Sequence, residues 1–353
     1  MNLKLIKYIK CLKCGGHNLK LLFFDESGTR VIKAHDDASG RSTINGIMLC
    51  QCGCFYPVIG NIIRTIKSNS SSYIEFFSKF KSILDNLNLR LETPKLSANV
   101  KYAYDSFSYQ WAMLQEKQNV WGISREDMLN NLEKQLLLKK EQMRDMIILD
   151  AGCGHGRVTS AFSKLCNNIV ALEISESIDL AYDECDRKKN VLFIQGNVMD
   201  PPLVDESIDV IYCAGVLHHT PNTRIAAQAL MPLLRKHGRF YIWLYPKRGF
   251  VYTSVLNSIR FFTSRVPKKI LLLILKKAVV LFELWKKIKR ENYYSNIRGR
   301  EEIVISLFDC YSPRYRHTHF PEEVEQWFYE KNIKRVKLLH FSKYNLDMLA
   351  IKQ

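Results

Sequence analysis

A chain of 353 residues with 47% hydrophobic and 25% charged residues can bury one large core and a smaller one. Lys and Arg outnumber Asp and Glu by 52 to 35; the formal charge of +17 suits RNA, an anionic membrane surface, anionic small substrates, or simply lysines that solvate surface helices. No secretory signal and no run of 18 uncharged apolar residues is present, so we expect a cytoplasmic protein without a membrane span.

The stretch from Ile147 to Gly156, IILDAGCGHG, has the pattern of an apolar strand, a glycine turn and the start of a helix. After Asp150, alternate positions are occupied by Gly152, Gly154 and Gly156. Glycine is needed where a ligand lies against bare backbone, and free amides at a helix start favour a polar or anionic group. A second strand ends in Glu173, where a carboxylate is placed to accept both hydroxyls of a ribose.

The spacing GxGxG differs from the dinucleotide fingerprint GxGxxG and resembles motif I of the class I S-adenosylmethionine-dependent methyltransferases, type 11 and type 12. The resemblance implies an α/β fold, a Rossmann-like seven-stranded class I methyltransferase sandwich, and S-adenosyl-L-methionine as cofactor. A third strand ends at Asn197, where the family usually has an aspartate that accepts the adenine amino group, and the amide of Val198 would donate to the ring. The implied cofactor-binding residues are Asp150, Gly152, Cys153, Gly154, Gly156, Glu173, Ile174, Asn197, Val198 and Ala214.

A fourth strand, Ile208 to Gly215, is followed by VLHH, which resembles the same segment of small-molecule and quinone methyltransferases. The NPPY, DPPY and Pro-Cys motifs of base methyltransferases are missing there, which argues against base methylation. An oxygen or carbon acceptor must lose a proton, and His218 or His219 could remove it, although neighbouring side chains diverge and only one should face the substrate. His317 and His319 are the reserve candidates, or they bond backbone carbonyls at a helix start.

Five of the ten cysteines lie between Cys11 and Cys54, and in a cytoplasmic chain this clustering favours metal over disulfides. Two knuckles of closely spaced thiolates can enclose a tetrahedral zinc ion. Gly53 fits a knuckle turn, and Cys54 or His17 could substitute for one ligand. The predicted ligands are Cys11, Cys14, Cys50 and Cys52.

The same segment resembles the zinc ribbon of the tRNA-methyltransferase activator family, in its CxxC, its later Cys pair followed by Gly, and the run of Tyr56, Pro57 and Gly60. It departs from that pattern in a CxC where CxxC is commoner, and in Ile63 where a proline usually stands. The resemblance implies a structural zinc ion that stabilises the fold, rather than a catalytic one.

The chain therefore divides into a zinc-ribbon-like domain over 1–66, a linker and N-terminal helices over 67–145, and a methyltransferase domain over 146–353. Before motif I, SFSYQWAML resembles the FxYxW segment that helps to cover the cofactor in many bacterial methyltransferases, with Phe107, Tyr109 and Trp111. A core-facing aromatic helix is the alternative.

A helical insertion is predicted at about 247–318, after the fifth strand. Within it, residues 267–290 have the pattern of a basic amphipathic helix, which could lie in a membrane interface or close over the substrate as a lid. We favour the lid, because insertions at this point commonly cap the substrate in this fold. The oligomeric state is left open.

The predicted function is methyl transfer from S-adenosyl-L-methionine to an oxygen or carbon of a small metabolite, with lipid-like and glycan molecules included. The first alternative is an rRNA or tRNA methyltransferase that uses the basic surface and the ribbon. The second is an inactive cofactor-binding module, which the intact Asp150, Gly152, Gly154 and Glu173 disfavour.

Overall fold

The computed structural model describes residues 1–25, 27–28, 31–33, 43–68, 70–87, 89–91, 98–112, 125–289 and 300–353. The strands are β1 Lys20–Phe24, β2 Val31–Lys33, β3 Gly46–Leu49, β4 Cys54–Ile59, β5 Ile62–Arg64, β6 Arg90–Leu91, β7 Ile147–Ala151, β8 Asn168–Glu173, β9 Val191–Gln195, β10 Ile208–Ala214, β11 Leu234–Leu244, β12 Arg335–Phe341 and β13 Leu346–Ile351. The α-helices are α1 Ser71–Lys79, α2 Lys81–Asn86, α3 Ala98–Ala112, α4 Arg125–Leu136, α5 Lys140–Met143, α6 Arg157–Leu165, α7 Ser177–Glu184, α8 Thr223–Leu230, α9 Phe250–Thr263, α10 Lys268–Lys289, α11 Arg300–Tyr311 and α12 Pro321–Tyr329.

The C-terminal part of the sheet has the strand order β12-β13-β11-β10-β7-β8-β9. The five strands from β7 to β11 pair in parallel, and β13 is antiparallel to both of its neighbours. The parallel strands are nearly continuous apolar runs because helices cover both faces. This is the three-layer α/β sandwich that the sequence predicts.

The sheet does not stop at β9. Strand β5 pairs with β9 in parallel, with Ile62 opposite Phe193 and Arg64 opposite Gln195. Strands β4, β3, β1 and β2 continue outward from β5, and β6 pairs with β4. The sequence predicts seven strands for the methyltransferase sandwich; residues 146–353 contribute β7 to β13, and the described sheet continues to thirteen strands. The physical reason is that the open edge of β9 is covered by another strand of the same chain.

Helices on the two faces of the sheet form two large apolar clusters. One cluster joins α4, α6 and α7 to the sheet through residues such as Leu132, Phe162 and Ile178. The other joins α8, α12 and the N-terminal 3-10 helix Leu3–Tyr8 to the opposite face, with Leu5 buried in it. The first residues of the chain thus pack against the C-terminal part.

The predicted insertion contains α9, α10 and α11. Helix α10 buries Leu271, Leu275 and Val279 against Val304 and Phe308 of α11. The apolar half predicted for residues 267–290 is only partly buried, because Ile274, Leu281 and Phe282 are exposed. Its side chains beyond residue 282 lie outside the described part. None of the described helices has the length and apolar character that a membrane crossing needs.

Candidate active site at the carboxyl edge of the sheet

The glycine turn after β7 has a backbone that only glycine adopts without strain. Gly152, Gly154 and Gly156 have φ angles of +85°, +56° and +88°. The amide of Gly152 donates to the carbonyl oxygen of Leu172 at 2.7 Å, which fixes the turn against β8. Gly156 is the N-cap of α6, so the amides of the first turn of that helix, which have no partner within the helix, lie next to the glycine turn. The structure thus places the predicted strand, turn and helix together.

Glu173 lies beside this turn at the tip of β8, as predicted. Its Oε2 accepts a hydrogen bond from the amide of Gly154 at 3.0 Å, and its Oε1 accepts one from the amide of Ser175 at 2.8 Å. The side chain is buried. Two backbone amides hold the carboxylate in one orientation at the edge of the crevice.

Asp150 bonds the helix that follows the turn, and its part in cofactor binding stays a prediction. Its Oδ2 accepts a hydrogen bond of 2.6 Å from the hydroxyl of Thr159 on α6, and burial raises the pKa of its carboxyl to about 7. The residue therefore ties β7 to the helix that follows the turn. Cys153 is buried in the turn, and the carbonyl of Ile174 accepts a hydrogen bond from Gln195 at 3.4 Å.

The remaining predicted cofactor residues follow the neighbouring strands. Asn197 comes after β9, and its Oδ1 accepts a hydrogen bond from the amide of Met199 at 2.9 Å. Val198 is buried, and Ala214 ends β10 half-buried. The side-chain oxygen of Asn197 thus holds a local turn, and its role at an adenine ring stays a prediction.

Helix α3 covers the glycine turn. A Cβ atom added to Gly154 would lie 2.8 Å from the indole ring of Trp111, and this ring stacks on His155 with 4.6 Å between the ring centroids. The helix is fixed to the loop after β8, where Tyr104 donates to Glu176 at 2.6 Å. These contacts favour the covering role of the aromatic segment over that of a plain core helix.

His218 lies in the short 3-10 helix Leu217–His219 just after β10, and it is fully buried. Neither ring nitrogen has a hydrogen-bond partner among the described residues. The ring centroid is 4.4 Å from that of Tyr245, which follows β11. Burial, with the neighbouring imidazole of His219 next in weight, holds the pKa of His218 well below its usual range, so the ring is neutral at pH 7.

His219 is also buried, but it has a partner. Its Nδ1 donates to the carbonyl oxygen of Tyr315 at 2.8 Å, which leaves Nε2 as the nitrogen with the lone pair. Phe107 of α3 packs against the ring at a centroid distance of 5.1 Å. The structure therefore separates the two histidines: one ring is oriented by a carbonyl, and the other has no partner.

His317 and His319 lie in the segment just before α12. His317 donates from Nε2 to the carbonyl of Thr220 at 3.1 Å. His319 uses both nitrogens, with Nδ1 at 2.9 Å from Glu323 and Nε2 at 3.0 Å from the hydroxyl of Thr223. These bonds favour the alternative predicted for this pair, in which they stabilise a helix start. Both line an open groove beside α8 and α12.

A cluster of polar side chains that the sequence analysis missed surrounds Tyr245. The Tyr245 hydroxyl donates to Asp309 at 2.9 Å, and the Gln110 amide donates to the other oxygen of Asp309 at 3.0 Å. The guanidinium carbon of Arg316 lies 3.7 Å from the centroid of the Tyr245 ring. We call these four residues and His218 the Tyr245 cluster.

The Tyr245 cluster contains buried polar atoms with unused bonding capacity. Besides the two nitrogens of His218, the Oε1 of Gln110 and the Nε of Arg316 have no partner within the described ranges. Buried polar groups are normally paired, because an unpaired one costs the free energy of its desolvation. Four such atoms around one tyrosine leave bonding capacity that a polar ligand could use.

Residues 149–242 match the family model described as a methyltransferase domain. Over these residues, which hold the glycine turn, Glu173 and both VLHH histidines, the chain is similar to that family. The similarity supports the prediction of a methyltransferase.

The curated relatives match about a third of the chain. An uncharacterized methyltransferase of Bacillus subtilis, YcgJ, is 30% identical over 111 residues, which are 30% of this chain and 44% of the relative. An uncharacterized protein of Methanocaldococcus jannaschii is 29% identical over 133 residues, 37% of this chain and 55% of the relative. The chain thus spans about half the length of the curated relatives it matches.

Solved structures resemble the chain at low sequence identity. The magnesium protoporphyrin IX methyltransferase of Synechocystis, solved with bound S-adenosylhomocysteine, is 13% identical with a TM-score of 0.45, and the match covers 72% of this chain and 99% of that one. The 1,6-didemethyltoxoflavin N1-methyltransferase of Burkholderia thailandensis is 16% identical with a TM-score of 0.41, over 73% of this chain and 92% of that one.

Outside the methyltransferase domain, the structure brings together four of the five N-terminal cysteines. The Sγ atoms of Cys11 and Cys52 are 3.7 Å apart, those of Cys14 and Cys50 are 3.5 Å apart, and all four lie within 4.8 Å of one another. Sulfurs held at about 2.3 Å from a tetrahedral zinc ion are about 3.8 Å apart. The donor set therefore fits zinc, and Cys54 is not part of it.

Proposed function

We propose that the chain transfers a methyl group from S-adenosyl-L-methionine to a small polar acceptor bound at the Tyr245 cluster. The observation that carries this proposal is the buried, unpartnered His218, which lies at the same edge of the sheet as the glycine turn. This edge is where parallel α/β sheets bind ligands.

The glycine turn, Glu173 and Trp111 would hold the cofactor. Val216 packs against Gly152 and Trp111 packs against Gly154, so the glycines let these side chains close the turn. The fixed carboxylate of Glu173 is placed for ribose hydroxyls, and Trp111 would cover the bound cofactor. When bound, the sulfonium supplies the electrophilic methyl group, so the protein mainly has to align the acceptor with it.

The Tyr245 cluster would hold the acceptor. It carries one guanidinium, at Arg316, and a second arginine of the insertion, Arg260, is buried nearby and bonded to the carbonyl of Cys310 at 3.1 Å. Asp309, the one carboxylate in the cluster, balances the charge of Arg316, so Arg260 leaves one positive charge in excess. Such a site favours an acceptor that combines a hydroxyl with an anionic group.

His218 would accept the proton that the acceptor loses. Its low pKa keeps the ring unprotonated at neutral pH, and its unpaired nitrogens can bond a hydroxyl without first breaking another bond. His219, held by Tyr315, is then a positioning residue that packs against the His218 ring at a centroid distance of 4.2 Å.

The test is transfer of labelled methyl from S-adenosyl-L-methionine into a cell extract that is then divided into RNA, protein, lipid and small-molecule fractions. We expect label in the lipid or small-molecule fraction, lost in His218→Asn while calorimetry shows unchanged cofactor binding. The control is His319→Asn, whose ring bonds Glu323 and Thr223 and should keep activity.

Two outcomes would contradict the proposal. Label confined to RNA would favour the alternative that the basic composition suggests, with RNA as the substrate. No label in any fraction, with cofactor bound, would favour an inactive cofactor-binding module.

We also propose that Cys11, Cys14, Cys50 and Cys52 hold a structural zinc ion. The four sulfurs have the spacing of a tetrahedral site, and Gly53, with φ of +82°, allows the tight turn in which its amide donates to the carbonyl of Cys50. None of these cysteines belongs to the Tyr245 cluster, so we assign the metal to folding rather than to methyl transfer.

A further inference from the structure

The insertion helices expose far more apolar surface than a solvated helix needs. On α9, an exposed stripe contains Val251, Val255, Ile259 and Phe262, at the spacing of one helix face. Val251 is 74% exposed and Phe262 is 70% exposed. On α10, the large exposed apolar side chains are Ile270, Leu273, Ile274, Leu281 and Phe282. Exposed apolar faces of this kind normally mark a contact surface.

The charges on these helices are mostly positive, and Glu283 is the one acidic residue in the sequence of α9 and α10. Residues 250–282 contain no acidic residue, and their six basic residues are Arg260, Arg265, Lys268, Lys269, Lys276 and Lys277. Two of the six are used internally: Arg260 is buried, and Lys268 donates to the carbonyl of Ser312 at 2.8 Å. The other four are exposed beside the apolar side chains.

We propose that the exposed faces of α9 and α10 form a surface that binds anionic lipid membranes. Exposed apolar side chains flanked by an excess of lysine and arginine match an interface of acyl chains and negative headgroups. The positive charge of this surface would also suit a nucleic acid. A nucleic acid would, however, leave the apolar side chains of Val251, Phe262 and Leu281 exposed to water. No described helix can cross a bilayer, so the contact is peripheral.

This surface is built on the helices that complete the Tyr245 cluster. Helix α10 packs on α11 through Leu271, Leu275 and Phe308, and the next residue of α11 is Asp309, which bonds Tyr245. Membrane contact through the outer faces of α9 and α10 would therefore hold the acceptor site close to the headgroups.

The test is sedimentation of the full-length protein with vesicles of phosphatidylglycerol and phosphatidylcholine in equal amounts, compared with vesicles of phosphatidylcholine alone. No cofactor is added, so the result does not depend on methyl transfer. We expect the protein to pellet with the anionic vesicles and to stay in solution with the neutral ones, with binding that weakens as salt rises.

Two variants separate charge from apolar contact. Lys276→Glu with Lys277→Glu should weaken binding to anionic vesicles by at least about tenfold, because each basic residue near such a surface adds attraction. The matched control is Lys331→Glu with Lys334→Glu, two exposed lysines next to the start of β12, which should bind as the parent does. Val251→Asp with Phe262→Asp should abolish binding at any salt, and neither side chain is needed for packing.

Four results would overturn the proposal. The parent protein fails to bind anionic vesicles, or Lys276→Glu with Lys277→Glu binds as well as the control. Alternatively, a homodimer in solution is broken by Val251→Asp with Phe262→Asp while vesicles are not bound, which would assign the surface to a second copy. Binding of RNA that is lost with the lysine variant, without vesicle binding, would assign it to nucleic acid.

Discussion

Arg64 of β5 donates two hydrogen bonds to Asp179 of α7, at 2.5 and 3.1 Å. The arginine is almost fully buried and also donates to Gln195 at 3.1 Å. Gln195 in turn donates to the carbonyls of Ile174 and Ser175, next to Glu173. One side chain from the N-terminal part of the chain therefore supports the loop that carries the predicted ribose-binding carboxylate.

Arg64→Met should lower the free energy of unfolding by about 2–4 kcal/mol, because it removes three charge-assisted hydrogen bonds from a buried site while Asp179 stays partly in water. It should also weaken cofactor binding, since Gln195 loses its anchor. Urea unfolding and calorimetry measure the two effects. The control is Arg187→Met, which removes an exposed pair with Asp183 and should cost less than about 0.5 kcal/mol. If Arg64→Met and Arg187→Met lowered the free energy of unfolding equally, Arg64 would not support the loop after β8.

Gly154→Ala should weaken binding of S-adenosyl-L-methionine by at least about tenfold, because a Cβ at this positive φ is strained and strikes the Trp111 ring. Gly60→Ala is the matched control: its φ is +59°, but no atom lies within 4 Å of the added carbon. That variant should lose some stability and bind the cofactor normally. Calorimetric titration measures the affinity of both variants for S-adenosyl-L-methionine. If Gly154→Ala binds it as the parent does, the glycine turn is not part of the cofactor site.

His218 makes stability depend on pH. Because its pKa in the folded protein lies well below the unfolded value near 6.5, only the unfolded chain takes up the proton as pH falls, and stability is lost below about pH 6.5. His218→Leu should remove up to about 1.4 kcal/mol of that loss per pH unit. The difference between the two proteins, measured by urea unfolding at several pH values, isolates this group from Asp150, whose raised pKa acts in the opposite direction. Parallel pH profiles would show that the imidazole is not held neutral.

The zinc content of two variants shows whether Cys52 or Cys54 is the fourth ligand. Cys52→Ser should abolish stoichiometric zinc after purification and lower the melting temperature, as should a strong chelator on the parent protein. Cys54→Ser should retain zinc, because its sulfur is outside the group of four. Zinc lost with Cys54→Ser and kept with Cys52→Ser would exchange their roles.

The parts of the fold that the sequence predicts are those governed by local patterns. The strand before Gly152, the strand that ends in Glu173 and the closing antiparallel pair are read from apolar runs and turn residues, and the structure has all of them. The pairing of β5 with β9 is not local, because it joins residues far apart along the chain through backbone bonds that no side-chain pattern specifies.

The candidate site was predictable only in part, for the same reason. The glycine turn and VLHH are contiguous motifs, whereas Gln110, Tyr245, Asp309 and Arg316 come from four separate segments. A polar Gln110 within the aromatic segment was the one available signal for the cluster. The periodicity of 267–290 predicted an apolar face, but it could not show that part of this face stays exposed.

The continuous sheet has a consequence for how the chain can be shortened. Strand β9, whose five residues are all buried, is an interior strand only because β5 lies beside it. A chain that begins after residue 66 would turn β9 into an open, apolar edge, with unpaired amides and carbonyls ready to accept a strand from another molecule. We therefore expect a chain that begins after residue 66 to aggregate through this edge, whereas the full chain keeps it paired.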